Sequence, residues 1–212
     1  MKKRAVFKEI SGYVNQNKLQ YFAVVICVVL GMAIGTFVAV SLSEEGFKSL
    51  SRYMENFVSA YNLQPVSKVQ VFKASVYNNI KSILFLWFFG LWVGFIPFTL
   101  LQMGIKGYKL GFSGAFLIQA YKGKGILFAF LTLMPQLAVT LPALVVYSVF
   151  TMKYAVALRT VRSSRKNGEL RRDMYLRGLL CIAAIAIVAL ISSLLDAFVV
   201  PPLLKPVCSF LI

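Results

Sequence analysis

The sequence predicts an all-α, polytopic membrane helical bundle of about five transmembrane helices with an amphipathic helical outer loop, and three observations carry that prediction. Hydrophobic residues make up 59% of the 212 and charged ones only 14%, far below the quarter usual for soluble domains, so a soluble core of this length could not hide the apolar surface. Residues 21–42 hold no charge over 22 positions, about the number a helix needs to cross ~30 Å of hydrocarbon. A 25-residue basic segment, 153–177, precedes the last apolar run and sets the orientation.

Residues 1–20 form a leader holding Lys2, Lys3, Arg4, Lys8 and Lys18 against a single Glu9, which keeps the amino terminus in the cytoplasm. Its stripe of Val6, Phe7, Ile10, Tyr13 and Val14 reads as an interfacial helix on the inner leaflet. The first span, 21–42, is an uncleaved anchor. A cleaved signal peptide is the alternative, but the run exceeds the usual apolar length of about 7 to 15 residues and lacks a convincing small-residue cleavage site.

Residues 43–81 make the one sizeable outer segment. Ser43 before Glu44 and Glu45 reads as an N-cap with acids in the first turn, where they complement the helix dipole. Phe47, Leu50, Met54, Phe57, Val58 and Tyr61 then recur at helical spacing as one apolar stripe, which Asn62 and Pro65 terminate. A second stripe, Val69, Phe72, Val76 and Ile80, is placed to run unbroken into the second span. The two helices have three readings: packing on each other, lying on the outer membrane surface, or offering a groove to a partner. For the last, Phe47, Leu50, Met54, Phe57 and Tyr61 are the candidate contacts.

The second span, 82–101, is aromatic-rich and broken at Pro97. The third rests on only 12 apolar residues, 110–121, so it spans if the helix starts near Met103 and Lys106 and Lys109 snorkel to the interface, and otherwise re-enters on the same side. A polar turn at 122–125 leads to the fourth span, 126–152, broken at Pro135 and Pro142. After the basic cytoplasmic loop, 178–200 forms the fifth span and 201–212 an extracytoplasmic tail. Lys and Arg then total 15 on the inner side against 8 on the outer, as the positive-inside rule requires.

Glycines recur at helical spacing in or beside these spans: Gly31 with Gly35, Gly90 with Gly94, and the row Gly104, Gly107, Gly111, Gly114. Small residues four apart let helix backbones approach closely where no hydrophobic force drives association. They serve packing within one chain or, alternatively, a homodimer. Pro135 and Pro142 free backbone carbonyls at membrane depth that need Thr132, Gln136, Thr140 or a neighbouring helix as partners.

Chemistry is sparse. The chain has no histidine, no serine or cysteine with a neighbouring base and no phosphate loop, so no catalytic, cofactor or metal site is expected and the chain reads as a non-enzyme. Cys27, Cys181 and Cys208 have no framework spacing. No charge is expected in the central membrane, and Asp196 is placed near the outer interface, either hydrated or paired with Lys205. The net charge of +16 comes without any nucleic-acid recognition module, so the partner of the basic loops is anionic lipid rather than nucleic acid.

With five spans, a short basic leader, the segment Gly107-Tyr-Lys-Leu-Gly111-Phe-Ser-Gly114 and the segment Leu133-Met-Pro135-Gln-Leu-Ala-Val-Thr140-Leu-Pro142, the chain resembles the stage II sporulation protein M family over nearly its whole length. In that family the proline matching Pro135 is often followed by histidine and, four residues later, by an acid; Gln136 and Thr140 stand there in this chain. The departure removes the one titratable pair that could have supported proton coupling. The resemblance implies a membrane scaffold of the engulfment machinery, sited in the septal and engulfing mother-cell membrane during sporulation. It would anchor the stage II sporulation proteins D and P, which cut peptidoglycan. A permease-like subunit is the alternative, and would show a polar path lined by Gln102, Gln119, Gln136 and Thr140.

Overall fold

The computed structural model describes residues 17–63, 67–163, 168–198 and 201–202. They form six helices: α1 (Lys18–Val40), α2 (Glu44–Leu63), α3 (Lys68–Phe89), α4 (Ile96–Pro135), α5 (Leu141–Ser163) and α6 (Gly168–Phe198). A 3₁₀ turn at Val93–Phe95 precedes α4, and a π turn at Gln136–Thr140 joins α4 to α5. Four segments are long and apolar enough to cross a membrane: Lys18–Val40, Val93–Met134, Leu137–Val161 and Met174–Phe198. The second of these is not one straight rod. Lys122 leaves helical geometry at φ 50°, and beyond it Gly125 lies against Leu117 and Ile118 while the Tyr121 and Phe128 rings meet at 6.0 Å. The chain therefore turns back on itself there, and α4 is a hairpin of two limbs.

Glycine decides which helices touch. A Cβ on Gly31 would strike the carbonyl oxygen of Gly104, and one on Gly35 that of Tyr108. Facing them, a Cβ on Gly107 would strike the carbonyl of Val28, and one on Gly111 that of Met32. Contact positions rise together along both helices, so α1 and the first limb of α4 run parallel, each with two glycines four apart against the other's backbone. Thr36 adds a hydroxyl bond to the Gly111 carbonyl at 3.4 Å. The first limb therefore runs alongside α1.

The second close pair is α3 with α6. Ser75 meets Asp196 and Asn79 meets Ser193, so these two helices run antiparallel. Between the pairs sits α5, whose Leu144, Val145, Tyr147, Val149 and Met152 join Val24, Val28, Ile83, Leu86 and Met103 in the buried core. Outward faces are also apolar, as with Phe22, Val29 and Phe37 on α1 or Leu179, Leu180 and Ile187 on α6, which suits hydrocarbon and not water.

Three expectations change. The second span does not run helically from 82 to 101: α3 stops at Phe89, Gly90 to Trp92 turn, and Pro97 is the second residue of α4, where its missing N–H costs no helix bond. Gly94 falls in the 3₁₀ turn with open space around it, and so is no packing position, whereas Gly90 does meet Thr151. Lys106 lies ten residues past the start of α4, not at a helix end. Its neighbours Gly104 and Gly107 pack at the middle of α1, about 14 Å from that helix's carboxyl end at 1.5 Å per residue. Lys106 is half-buried within the bundle, whereas Lys109 is exposed.

Between Pro135 and Pro142 the α-helix gives way to a π turn. Pro142 lacks the N–H that a regular helix would bring to residue 138, and its ring crowds that carbonyl; the wider π turn accommodates both. Residues 1–16 of the leader, Lys205, Cys208 and most of the carboxyl tail lie outside the described residues, while Lys18 to Gln20 already belong to α1.

Candidate functional site

Two features of this bundle go beyond packing. One is a seam of polar side chains between α3 and α6. Asn79, buried, donates from Nδ2 to Ser193 Oγ at 3.0 Å, and Ser193 in turn donates to the Ala189 carbonyl at 2.8 Å. Ser75 Oγ donates to the Asp196 carboxylate at 2.5 Å and lies 3.3 Å from Ser193 Oγ. Across the seam, Thr140 from the π turn shares a hydroxyl contact with the fully buried Ser192. Hydrogen bonds of this kind hold helices together where apolar burial cannot distinguish a neighbouring helix from lipid.

This network opens into a cavity of about 420 Å³. Its polar lining is Ser75, Asn78, Asn79 and Asp196 on one side, with Thr132, Thr140, Lys106 and Lys109 on the other. At 100° per residue Lys106 and Lys109 lie on the side of α4 away from Gly107, so the glycine contact with α1 turns the lysines toward the cavity. Met103 and Leu144 in its lining also belong to the apolar core.

The expected permease path does not assemble. Thr140 does line the cavity, but Gln119 is exposed, Gln102 donates to the Ser82 carbonyl at 3.1 Å, and the Gln136 side chain lies outside the described residues. Two lysines and Asp196 line one cavity, and Asp196 stands two residues from the end of α6. Asp196 takes Ser75 as its partner; Lys205 is outside the described residues.

The other feature is α2. Ser43 Oγ accepts the Gly46 N–H at 3.2 Å and caps it, and Lys48 pairs with Glu44 at 3.5 Å on its exposed side. Phe47 rests on Phe116 with ring centroids 5.6 Å apart, anchoring the start of the helix to the bundle. Among the described residues no other helix packs along α2, so its stripe does not close against that of α3. Leu50 and Met54 are half-buried; the side chains of Phe57 and Tyr61 lie outside those the structure describes.

The family model for stage II sporulation protein M matches residues 24–201. The chain belongs to that family. The match takes in the glycine seam, the polar seam, the π turn, the cavity and α2, so these features lie within the family's own segment of the chain. No curated protein and no solved structure matches. Membership establishes a sporulation-related, multi-pass membrane protein.

The remaining site residues sort by what they touch. A Cβ on Gly104 would lie 3.5 Å from the Cys27 carbonyl and one on Gly114 3.4 Å from a Leu133 methyl, ordinary contact distances. Gly125, read from sequence only as part of a turn, turns out to be as tightly placed as Gly107, against Leu117. Sequence reasoning also missed Ser75, Asn79, Ser192 and Ser193. The available signal was their recurrence on otherwise apolar helices, where a polar side chain must find a partner.

Proposed function

We propose that this sporulation protein M chain is a non-enzymatic scaffold of the engulfment machinery, holding peptidoglycan-cutting partners, the stage II sporulation proteins D and P, at the septal and engulfing membrane. Its amino terminus is cytoplasmic and α2 lies outside, where a cell-wall enzyme works. Family membership supports the sporulation setting. The observation that carries the scaffold reading is α2: a capped amphipathic helix fixed at one end by Phe47 on Phe116, with no other helix of the described chain along it. An apolar stripe presented in this way suits the helix-in-groove mode of recognition.

The test replaces Phe47, Leu50 and Met54 with serine and recovers complexes from sporulating cells. A partner held by its soluble domain should be lost, while membrane insertion and partners held through their own membrane helix persist. Recovery of every partner unchanged would assign the stripe to lipid contact.

A further inference from the structure

We propose that the cavity between α3, α4, α5 and α6 binds an anionic phosphate group, held by Lys106 and Lys109. This site is separate from the α2 stripe and from the basic loop at 153–177. Four observations lead to it.

The cavity, at about 420 Å³, falls in the size range of ligand sites and is larger than a packing defect. Its lining divides as such sites do, with an apolar wall of Val71, Met103, Leu110, Leu141 and Leu144 and a small set of convergent polar groups. The charge there is not balanced. Two ammonium groups face one carboxylate, and the carboxylate already accepts a hydroxyl bond from Ser75. Among the described residues neither lysine has an ion-pair partner. A cation held inside a membrane bundle is costly unless an anion meets it, and no second acid lines the cavity.

The lysines are also placed there by something other than chance side-chain reach. Gly107 and Gly111 press one face of α4 on the backbone of α1, which leaves Lys106 and Lys109, three residues apart, on the side that looks into the cavity. Beside them Asn78 brings amide N–H groups and Asn79 the one it does not give to Ser193, while the Thr132 and Thr140 hydroxyls are engaged by the Phe128 carbonyl and Ser192. Ammonium and amide donors thus face a space with a positive surplus, and a tetrahedral oxyanion uses several donors at once. The apolar wall beside them accepts the hydrocarbon of a lipid, whose headgroup then meets the lysines. A free phosphate monoester would use the same polar groups.

The full chain is placed in nanodiscs of phosphatidylcholine alone, or of phosphatidylcholine mixed with phosphatidylglycerol, and lysines are modified with an amine-reactive reagent and counted by mass spectrometry. Exposed Lys73 on α3, outside the cavity, is the internal reference. Phosphatidylglycerol should protect Lys106 and Lys109 severalfold more than Lys73; equal protection of all three would overturn the site. Glycerol phosphate added to phosphatidylcholine discs distinguishes the sources: protection by it assigns a soluble phosphate, and protection by phosphatidylglycerol alone assigns a lipid. Protection by neither overturns the proposal. In native mass spectrometry the Lys106→Gln, Lys109→Gln double variant should retain phosphatidylglycerol at least about tenfold less well, since even one of the two charge-assisted contacts it loses is worth that much. Lys73→Gln should match the wild type, and an equal loss in both would show bulk surface charge instead.

Discussion

At the scale of single residues, what distinguishes the glycines from one another is the atom each would meet. Gly107 and Gly111 face backbone carbonyls, which cannot move without moving α1, while Gly114 faces only the end of a flexible leucine. Gly107→Leu and Gly111→Leu should therefore abolish accumulation of the folded protein. Gly114→Ala and Gly104→Ala should leave its yield and thermal retention on size exclusion within the range of the wild type. Spacing alone assigned the four glycines of α4 one role, because periodicity reports the face of a helix and not the distance to its neighbour. The polar seam makes a second prediction at this scale. A double-mutant cycle between Asn79→Ala and Ser193→Ala should show a coupling of about 0.6 to 1.7 kcal/mol, the range measured for hydrogen bonds between membrane helices. Zero coupling would mean the bond contributes nothing beyond packing.

Among the elements, the α4 hairpin tip is the point where local sequence and tertiary demand conflict. Lys122 holds φ at 50° with a side chain that disfavours it, although glycines stand on either side of Lys124. Lys122→Gly should relieve that strain and raise stability by about 1 kcal/mol, read as a higher midpoint of thermal aggregation. A lower midpoint would show that Lys122 is held by something more than backbone geometry. The helix breaks follow the same logic in the opposite direction. Pro135 and Pro142 announced an irregular fourth span, and a π turn lies between them. Pro97 announced another, but it opens α4, because a proline in a first helical turn lacks only an N–H that has no helical partner there. One residue type thus reads two ways until the helix start is known.

For the whole molecule, the charge bias, dominated by the 153–177 segment, predicts the orientation, and the five crossings expected from the sequence would place the two termini on opposite sides. The amino terminus should be cytoplasmic and Cys208 outside. In intact cells a membrane-impermeant thiol reagent should label Cys208, and failure to do so, with labelling in detergent as the control for burial, would refute five crossings. Composition and hydropathy by themselves determined that the chain is helical, where its apolar segments lie, that α2 is amphipathic and capped at Ser43, and, through the segments around Gly107 and Pro135, its family. Those properties are local: each depends on the solvent a stretch prefers or on the backbone its residues permit. Tertiary structure alone decided that α1 pairs with the first limb of α4, that α3 pairs with α6, and that Lys106, Lys109 and Asp196, read from sequence as interfacial charges, share one cavity. The physical reason is that lipid and protein interior are equally apolar, so hydrophobicity cannot choose a partner helix; close backbone approach and hydrogen bonds choose it, and both exist only between segments distant in the chain.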